Sequence, residues 1–296
     1  MSNTLGISVF RPQGKPIASV VMIHGMSEHR KRYDEFAQFL AKQGFGVVTY
    51  DQPGHGETAK DQTLGYFGDK DGWDTLIFTA HEVMKKCKEE FPGVPFFLFG
   101  HSMGTIVART FIKKYDDEIQ GLILSGAPNF QSAVPTGLML AKSIAGIKGK
   151  KGHSKLLDKM TMGSFNKGIA NPRTGFDWLS YNTDNVNAYI ADPLCGFSFT
   201  NQGYVDMMSG MVSMHDYKTY QCKNPALPIL FIAGAEDPCK GGEEGLADSI
   251  DTLKKAGYSH IDRIVYDHMR HEILHEDQRE KVYQDVADFM KKNLNA

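Results

Sequence analysis

The sequence lacks the features that mark several large classes of protein. Its four cysteines lie at least 17 positions apart, so they form neither a CxxC metal or redox pair nor a dense disulfide framework. With 33 Lys and Arg against 35 Asp and Glu, no cationic excess favours nucleic acid or an anionic membrane surface. No apolar run approaches the roughly 18 residues of a membrane span, and the N-terminal MSNTLGISVF has no signal-peptide pattern. We therefore expect a cytoplasmic protein with reduced cysteines, no transmembrane segment and no nucleic-acid partner.

What the sequence does contain is a repeated alternation of short apolar runs with amphipathic stretches. Six runs are predicted to be buried strands, at 18–23, 45–50, 96–99, 119–124, 227–233 and 261–266. Between the first two runs, apolar residues recur at 33, 36, 37 and 40, which is the spacing of one helical face. Later intervals repeat this pattern. Strands that alternate with helices predict an α/β fold, in which helices flank a mostly parallel central sheet.

The alternation stops between residues 128 and 222. This segment is rich in Gly, Asn, Met and aromatic residues, and it holds seven of the 14 methionines, at 139, 160, 162, 207, 208, 211 and 214. Because predicted core strands lie on both sides of it, we interpret the segment as a cap inserted into one catalytic domain. The predicted division is a core of residues 1–127 and 223–296 and a mainly helical cap of residues 128–222.

The pentapeptide GHSMG, residues 100–104, matches the G-x-S-x-G pattern. It follows a predicted strand and precedes a helical stripe, which is the strand-turn-helix context of a nucleophile elbow. Side chains at the two glycine positions would clash in so tight a turn, whereas Ser102 projects from it. The amide of Met103 would point into the site at a helix N-terminus. Ser102 is therefore the candidate nucleophile.

A serine hydroxyl needs a base to take its proton and an acid to orient that base. The strand 227–233 is followed by Gly234, Glu236 and Asp237, and the last predicted strand is followed by His271. Asp237 is favoured over Glu236 because the expected turn places the acid three residues past the glycine. Asp237 and His271 are the candidate partners of the serine.

The segment 271–275 is also an H-E-x-x-H sequence. This is the pattern of a zinc protease, in which two histidines one helical turn apart bind the metal. The segment follows a strand in a loop position, however, and no histidine follows His275 to supply a third ligand. We therefore expect no metal and no cofactor. His268 and His275 remain as alternative bases.

The loop after the first predicted strand is the expected place of the second oxyanion donor. The backbone amides of Met26 in this loop and of Met103 would together bind the negatively charged oxygen of a tetrahedral intermediate. The loop continues with Glu28, His29 and Arg32. We interpret these three residues as a polar cluster that holds the loop, with substrate contact as the alternative.

Five motifs make the sequence resemble a known family. They are HGMSEHRKRY from residue 24, YDQPGHGET from residue 50, GHSMG from residue 100, GAEDP from residue 234 and RHEILHE from residue 270. In this order they resemble the α/β-hydrolase superfamily, and most closely its monoacylglycerol lipase and lysophospholipase-like branch, also called serine aminopeptidase-like. The resemblance covers the whole predicted core and is looser in the cap.

The resemblance implies an α/β-hydrolase fold with the cap inserted after the sixth strand of the family sheet. It also implies Ser102 as nucleophile, Asp237 and His271 as its partners, and Met26 and Met103 as oxyanion donors. The sequence departs from the family at Met26 and the following serine, where such lipases commonly have two small residues. The short N-terminus implies that the first edge strand of the family is missing or reduced.

The leading functional hypothesis is a serine carboxylic ester hydrolase that forms an acyl-enzyme. Its expected substrates are monoacylglycerol, lysophospholipid or similar acyl monoesters. Methionine and aromatic residues of the cap are suited to line a flexible apolar channel. We expect the substrate to contact His24, Gly25, His101, Phe176, Trp178, Phe197, Met207 and Met211.

Three other functions remain open. The chain is alternatively an aromatic-acid esterase, a non-catalytic binding protein, or an aminopeptidase-like hydrolase. The last of these would bind an amine through a cap carboxylate, for which the candidates are Asp177, Asp184, Asp192 and Asp206. Besides a small acyl ester, the expected partners are a transient lipid surface at the cap and a second copy of the chain, the protein being a monomer or a homodimer.

Overall fold

The fold is built on one sheet of seven strands. The computed structural model describes residues 5–295. The strands are β1 (Ile7–Phe10), β2 (Ala18–Ile23), β3 (Phe45–Tyr50), β4 (Phe96–His101), β5 (Gly121–Ser125), β6 (Ile229–Gly234) and β7 (Ile261–Tyr266). Their order across the sheet is β1-β3-β2-β4-β5-β6-β7. Only the β1 and β3 pair is antiparallel among these strands, which confirms the predicted mostly parallel sheet.

Helices connect the strands and follow the last one. They are α1 (Asp34–Lys42), α2 (Gly72–Glu90), α3 (Met103–Tyr115), α4 (Val134–Lys148), α5 (Lys155–Met162), α6 (Thr183–Ala191), α7 (Asn201–His215), α8 (Gly242–Ala256) and α9 (Arg279–Lys292). Short 3-10 turns lie at Arg30–Tyr33, Gly56–Ala59, Asp116–Glu118, Phe165–Gly168, Asp177–Leu179, Tyr217–Thr219, Pro238–Lys240 and Ile273–His275.

Helices cover both faces of the sheet. Side chains alternate between the two faces along each strand, so neighbouring residues of a strand pack against different helices. In β2, Val20 and Met22 belong to the apolar cluster that contains α1 and α9. Val21 and Ile23 belong to the cluster that contains α2, α3 and α8. Every residue of β2 to β6 is buried. A strand covered on both faces reads as a continuous apolar run, and this is why these strands were predictable from the sequence.

The chain between β5 and β6 forms the predicted helical insertion, with α4 to α7. Helix α7 connects the insertion to the sheet domain, since Tyr204 and Met207 belong to the same apolar cluster as α2 and α3. Helix α4 packs on α7 and leaves Met139 and Ile147 exposed to solvent. The exact cap boundaries, residues 128 and 222, stay a prediction.

The sheet ends at the short strand β1, which has four residues. No strand precedes β1 in the part of the chain that the structure describes. The prediction of a missing or reduced first edge strand concerns the chain before β1, of which residues 1–4 lie outside the described range. Within residues 5–295, none of the helices is long and apolar enough to cross a membrane.

Candidate active site

Ser102 occupies a sharp turn between a strand and a helix. Strand β4 ends one residue before it and helix α3 begins one residue after it, and its backbone has φ 51° and ψ −119°. A positive φ is uncommon for a residue with a side chain. A Cβ added to Gly104 would lie 2.2 Å from the carbonyl oxygen of Ile23, and one added to Gly100 would lie 2.5 Å from that of Gly104. Backbone packing therefore requires glycine at both positions, as predicted for a nucleophile elbow.

Asp237 and His271 meet at the same edge of the sheet, on the loops after β6 and β7. Nδ1 of His271 lies 3.0 Å from both carboxylate oxygens of Asp237. The backbone amide of Cys239 donates a further hydrogen bond of 2.8 Å to the carboxylate. Both side chains are almost completely buried. This pairing places a proton on Nδ1 and leaves Nε2 of the imidazole available as a base.

The two side chains shift each other's pKa values. Burial alone would lower the pKa of the His271 imidazole, but the facing Asp237 carboxylate outweighs burial and holds this pKa well above its ordinary value. Burial alone would raise the pKa of Asp237, and His271 reverses that effect, so the carboxyl pKa lies below its ordinary value. The neighbouring His101 ring, whose centroid is 4.8 Å from that of His271, has its pKa lowered to about 4 by burial and by His271. His101 is therefore neutral beside the pair of Asp237 and His271.

One cavity joins the predicted nucleophile and the predicted base. It encloses about 190 Å³ and is lined by Ser102, His271, Met26 and Met103, among others. Met26 lies in the loop after β2, and Met103 is the first residue of α3. The cavity therefore brings the candidate nucleophile and base together with both residues whose amides were predicted to bind an oxyanion.

The far wall of the cavity is apolar and comes mainly from the insertion. Five of the seven methionines of the insertion line it, at positions 160, 162, 207, 208 and 211. Phe165, Trp178 and Leu179 also contribute, and Ile106 of α3 completes this wall from the core. The ring centroid of Trp178 lies 5.1 Å from that of His271, so the apolar wall reaches the candidate base. Unbranched methionine side chains adapt to ligands of varied shape.

Five of the eight predicted substrate contacts line this cavity. They are Gly25, His101, Trp178, Met207 and Met211. His24, Phe176 and Phe197 are not among its lining residues, and their contact with a substrate stays a prediction.

Each of the three is engaged elsewhere. The ring of His24 is buried behind the loop, where its Nε2 accepts a hydrogen bond of 3.0 Å from the amide of Gln52. Phe176 packs against Tyr189 with ring centroids 5.2 Å apart, and Phe197 packs against His55 at 5.4 Å. These aromatic side chains pack within the insertion or against the core, instead of facing the cavity.

Other lining residues were not among the eight predicted contacts. Glu28, Asn129, Tyr189, Cys239 and Glu272 all reach the cavity. Two of them, Glu28 and Glu272, could have been found from the sequence, because they lie inside the HGMSEHRKRY and RHEILHE motifs. The other three reach the cavity only through tertiary packing, which no local pattern reports.

A buried ionic network holds the loop after β2 against the loop of the candidate base. Arg32 lies 2.8 Å from Glu28 and 2.5 Å from Glu272. Glu28 in turn accepts hydrogen bonds from the amide of Gly25, at 2.6 Å, and from the hydroxyl of Tyr33, at 2.8 Å. Burial alone would raise the pKa of Glu272, but Arg32 outweighs it and lowers this pKa to about 2. This geometry supports the interpretation of Glu28 and Arg32 as a cluster that holds the loop.

The H-E-x-x-H segment does not form the helical turn that a zinc protease needs. A 3-10 turn spans Ile273–His275, so it contains His275 but not His271. His271 lies before this turn and pairs with Asp237. Glu272, the base in the zinc pattern, is ion-paired with Arg32. The structure thus does not build the site of a zinc protease from these residues.

The alternative bases are placed differently from His271. His268 is exposed and does not line the cavity. His275 is half-buried beside the ring of Tyr33, with centroids 6.4 Å apart, and also lies outside the cavity lining. Of the three histidines, only His271 reaches the cavity that contains Ser102.

Among the described residues, two groups bring three metal-ligating atoms within 4.8 Å of one another. One consists of the candidate pair Asp237 and His271 with Cys239. The other consists of His29, Asp192 and Cys195, in which His29 and Asp192 are already 2.9 Å apart. Neither group contains the two histidines of the H-E-x-x-H segment.

The fold is that of the α/β-hydrolases. The chain superposes on a thermostable carboxyl esterase from Bacillus coagulans, crystallised with glycerol, with a TM-score of 0.91 and 28% identity over 99% of this chain and 95% of the esterase. It also superposes on a monoacylglycerol lipase from Paleococcus ferrophilus, with a TM-score of 0.74 and 21% identity over 98% and 99% of the two chains. The second likeness shows the shared fold alone.

Sequence comparison identifies the family within this fold. Residues 14–278 match the family described as Serine aminopeptidase, S33, and the chain belongs to it. It is 26% identical to the monoglyceride lipase of Rattus norvegicus over 62% of this chain and 54% of the lipase, so it spans about half the length of that relative. It is 24% identical to the monoacylglycerol lipase of Mycolicibacterium smegmatis over 97% of this chain and 92% of the lipase. The chain is thus a member of a hydrolase family that includes monoacylglycerol lipases.

Proposed function

We propose that the protein is a serine carboxylic ester hydrolase that acts on acyl monoesters such as monoacylglycerol or lysophospholipid. In the first step, Oγ of Ser102 attacks the carbonyl carbon while its proton moves to Nε2 of His271. The amides of Met26 and Met103 bind the oxyanion. The ester C–O bond then breaks, the alcohol leaves with the proton from His271, and the acyl group remains on Ser102.

Water completes the cycle in a second step. His271 takes a proton from the water, whose oxygen attacks the acyl carbon, and the acid leaves as Ser102 regains its proton. Asp237 keeps the imidazole in the required tautomer and stabilises the imidazolium that forms. No step needs a cofactor.

The observation that carries the proposal is the single cavity lined by Ser102, His271 and an apolar wall. An ester whose carbonyl lies at Ser102 would place an acyl chain against Met207, Met208 and Met211. Removal of this apolar surface from water would supply the binding free energy. The names of the sequence relatives, which are monoglyceride lipases, support the same substrate class.

The aminopeptidase alternative has less support from the cavity. None of the four cap carboxylates considered for amine binding lines it; these are Asp177, Asp184, Asp192 and Asp206. The carboxylates that do line it, Glu28 and Glu272, are both ion-paired with Arg32. A substrate amine would therefore meet no free carboxylate among the described lining residues, and we favour an uncharged ester.

A fluorophosphonate probe tests the nucleophile. We expect covalent labelling of the wild type and its loss in Ser102→Ala, with ester hydrolysis lost in parallel. Ser259→Ala is the matched control, because Ser259 is exposed and its hydroxyl donates to Pro225. A non-catalytic binding protein would show neither labelling nor turnover, and labelling that persists in Ser102→Ala would assign the nucleophile elsewhere.

A substrate series tests the ester class. We expect kcat/KM for p-nitrophenyl esters to rise with acyl length until the acyl chain covers the apolar wall. We also expect the protein to hydrolyse monoacylglycerol and lysophospholipid. Feruloyl esters and aminoacyl amides represent the aromatic-acid esterase and the aminopeptidase. Preferred hydrolysis of either compound over every fatty acyl ester would overturn the lipid assignment.

We also propose that the insertion contacts a lipid surface. Exposed fractions are 64% for Met139, 85% for Ile147 and 51% for Leu156. The segment 134–162 also holds one aspartate and six lysines, at 142, 148, 150, 151, 155 and 159. Apolar side chains among lysines favour an anionic lipid surface.

Vesicle co-sedimentation tests this contact. We expect binding to vesicles of phosphatidylcholine with phosphatidylglycerol, and weaker binding after Met139→Ser and Ile147→Ser. The control is Phe78→Ser on α2, whose side chain is also exposed, at 63%. Equal binding by all three variants would refute the assignment of this surface.

A further inference from the structure

Ser27 has a backbone conformation that side chains rarely adopt. Its φ is 53°, and it directly follows Met26, one of the two proposed oxyanion donors. The residue is almost completely buried, at 1% exposure. A serine in this region of φ is stable only when its surroundings hold it there.

Four hydrogen bonds hold Ser27, and three of them come from the insertion. Its hydroxyl donates to the carbonyl oxygen of Phe197 at 2.6 Å. Its carbonyl oxygen accepts from the amide of Gly196, at 2.9 Å, and from the hydroxyl of Tyr189, at 3.0 Å. Its amide donates to Nε2 of His55 at 3.3 Å. Two atoms of Ser27, its hydroxyl and its carbonyl oxygen, are thus bound to a segment more than 160 residues further along the chain.

The other side of the loop is fixed by the core. The amide of Gly25 donates to the carboxylate of Glu28, which Arg32 and Tyr33 hold in place. Met26 therefore lies between an anchor in the core and an anchor in the insertion. A change of φ at Ser27 would turn the peptide group that joins it to Met26, and the amide of Met26 would move with it.

We infer that Ser27 is a positioning residue: through its bonds to the insertion, it holds the backbone amide of Met26 in the orientation needed to bind an oxyanion. Its hydroxyl bond to Phe197 and the bonds to its carbonyl oxygen hold the left-handed backbone that this alignment requires. The inference rests on the proposed function, since it assumes that Met26 binds an oxyanion. It adds that the insertion contributes to the chemical step as well as to the shape of the cavity.

Two substitutions at one position separate conformation from side-chain chemistry. Ser27→Ala loses the hydroxyl bond and keeps the Cβ that disfavours positive φ, so we expect kcat to fall about tenfold with a smaller change in KM. Ser27→Gly also loses the bond, but glycine adopts positive φ freely. We therefore expect it to recover most of the kcat that the alanine variant loses.

Affinity for a transition-state analogue provides the decisive measurement. We expect the inhibition constant of an alkyl trifluoromethyl ketone to worsen in Ser27→Ala by the same factor as kcat/KM, and to recover in Ser27→Gly. Thermal unfolding of each variant shows whether a loss of kcat comes from a loss of folded protein. If Ser27→Ala does not fold, the kcat and inhibitor affinity of Ser27→Gly alone test the inference.

Two outcomes would overturn the inference. One is a Ser27→Ala enzyme with wild-type kcat and wild-type affinity for the ketone. The other is an equal loss in the alanine and glycine variants, which would mean that backbone conformation has no part in the effect. Failure of the proposed function is distinguishable, because the wild type would then show no fluorophosphonate labelling at Ser102.

Discussion

The loops that carry Ser102, Asp237 and His271 differ from the insertion that covers them in what holds them in place. Backbone hydrogen bonds fix the loops: the amide of Ser102 donates to Ser125 at 2.9 Å, and that of Glu236 donates to Met269 at 3.1 Å. The apolar wall of the insertion is held by side-chain packing of α4 on α7. The position of Ser102, Asp237 and His271 therefore depends on backbone geometry, and the shape of the cavity depends on side chains that can repack.

This difference predicts that substitutions in the two regions have effects of very different size. A change in the loops should abolish chemistry or destabilise the fold, whereas a change in the cavity wall should alter the choice of acyl group. The following predictions test this contrast, from the largest expected effect to the smallest.

The largest effect is expected from loss of the base. We expect His271→Ala to lower kcat by about 10⁴-fold or more, because the variant lacks the imidazole that is proposed to take the proton of Ser102. His268→Ala is the matched control, since His268 is exposed on the same loop. Steady-state kinetics with one p-nitrophenyl ester measures both. Wild-type turnover in His271→Ala together with loss in His268→Ala would reassign the base.

Loss of the carboxylate that orients the base should also change the pH profile. Asp237 holds the pKa of His271 well above its ordinary value, and the imidazole acts as a base only when it is deprotonated. We therefore expect kcat/KM to fall as the pH falls through this raised pKa. In Asp237→Asn we expect a loss of about 10⁴-fold in kcat and an acidic limb displaced to lower pH. An unchanged acidic limb would show that another group titrates.

The ionic network around Arg32 should dominate the stability of the loops. Arg32→Met leaves Glu28 and Glu272 buried without their cation, and we expect the free energy of unfolding in urea to fall by about 3–5 kcal/mol. The exposed pair of Arg279 with Glu35, at 2.8 Å, provides the control, since Arg279→Met should cost about 0–1 kcal/mol. Equal losses would remove the distinction between the buried and the exposed pair.

The pH dependence of this loss has a defined sign. Arg32 lowers the pKa of Glu272 from 4.5 to about 2. A carboxylate with a lowered folded-state pKa stabilises the protein above its unfolded-state pKa, and this stabilisation is lost as the pH falls through the folded-state value. The difference in stability between the wild type and Arg32→Met should therefore be largest near neutral pH and shrink between pH 4.5 and about 2.

The smallest effect is expected in the cavity wall. Met211→Ala enlarges the cavity, and we expect the ratio of kcat/KM between long and short acyl esters to shift toward longer or bulkier acyl groups by about tenfold or less. Met139→Ala is the control, because Met139 is exposed on α4. A loss of turnover as large as that of His271→Ala would contradict the contrast between the two regions.

Much of the core and of the candidate site was predictable because both depend on local sequence. The strands of the sheet are buried on both faces, so they read as apolar runs, and parallel strands bring the loops after β4, β6 and β7 to one edge. Ser102 was recognisable because it lies between two glycines, and a side chain at either glycine would clash with the backbone. Asp237 was distinguished from Glu236 by spacing alone, and in the structure Asp237 is the residue that lies 3.0 Å from His271.

The lining of the cavity was less predictable because it depends on how the insertion packs. Phe176, Phe197 and Trp178 were all predicted as contacts because they are aromatic residues of the insertion. Of the three, only Trp178 lines the cavity. Aromatic residues in a small helical segment serve its own packing as readily as a ligand site. Tyr189 and Cys239 reach the cavity without any motif that marks them.

The sequence by itself determined the alternation of strands and helices, the sharp turn at Ser102 and the order of the candidate nucleophile, acid and base. These follow from hydrophobic periodicity, the steric freedom of glycine and the direction of parallel strands, which act over a few residues. Only the tertiary structure decided which side chains of the insertion face Ser102, and that Ser27 is bound to Gly196 and Phe197. Such contacts join residues more than 160 positions apart, and their geometry is set by packing between elements and not by any local pattern.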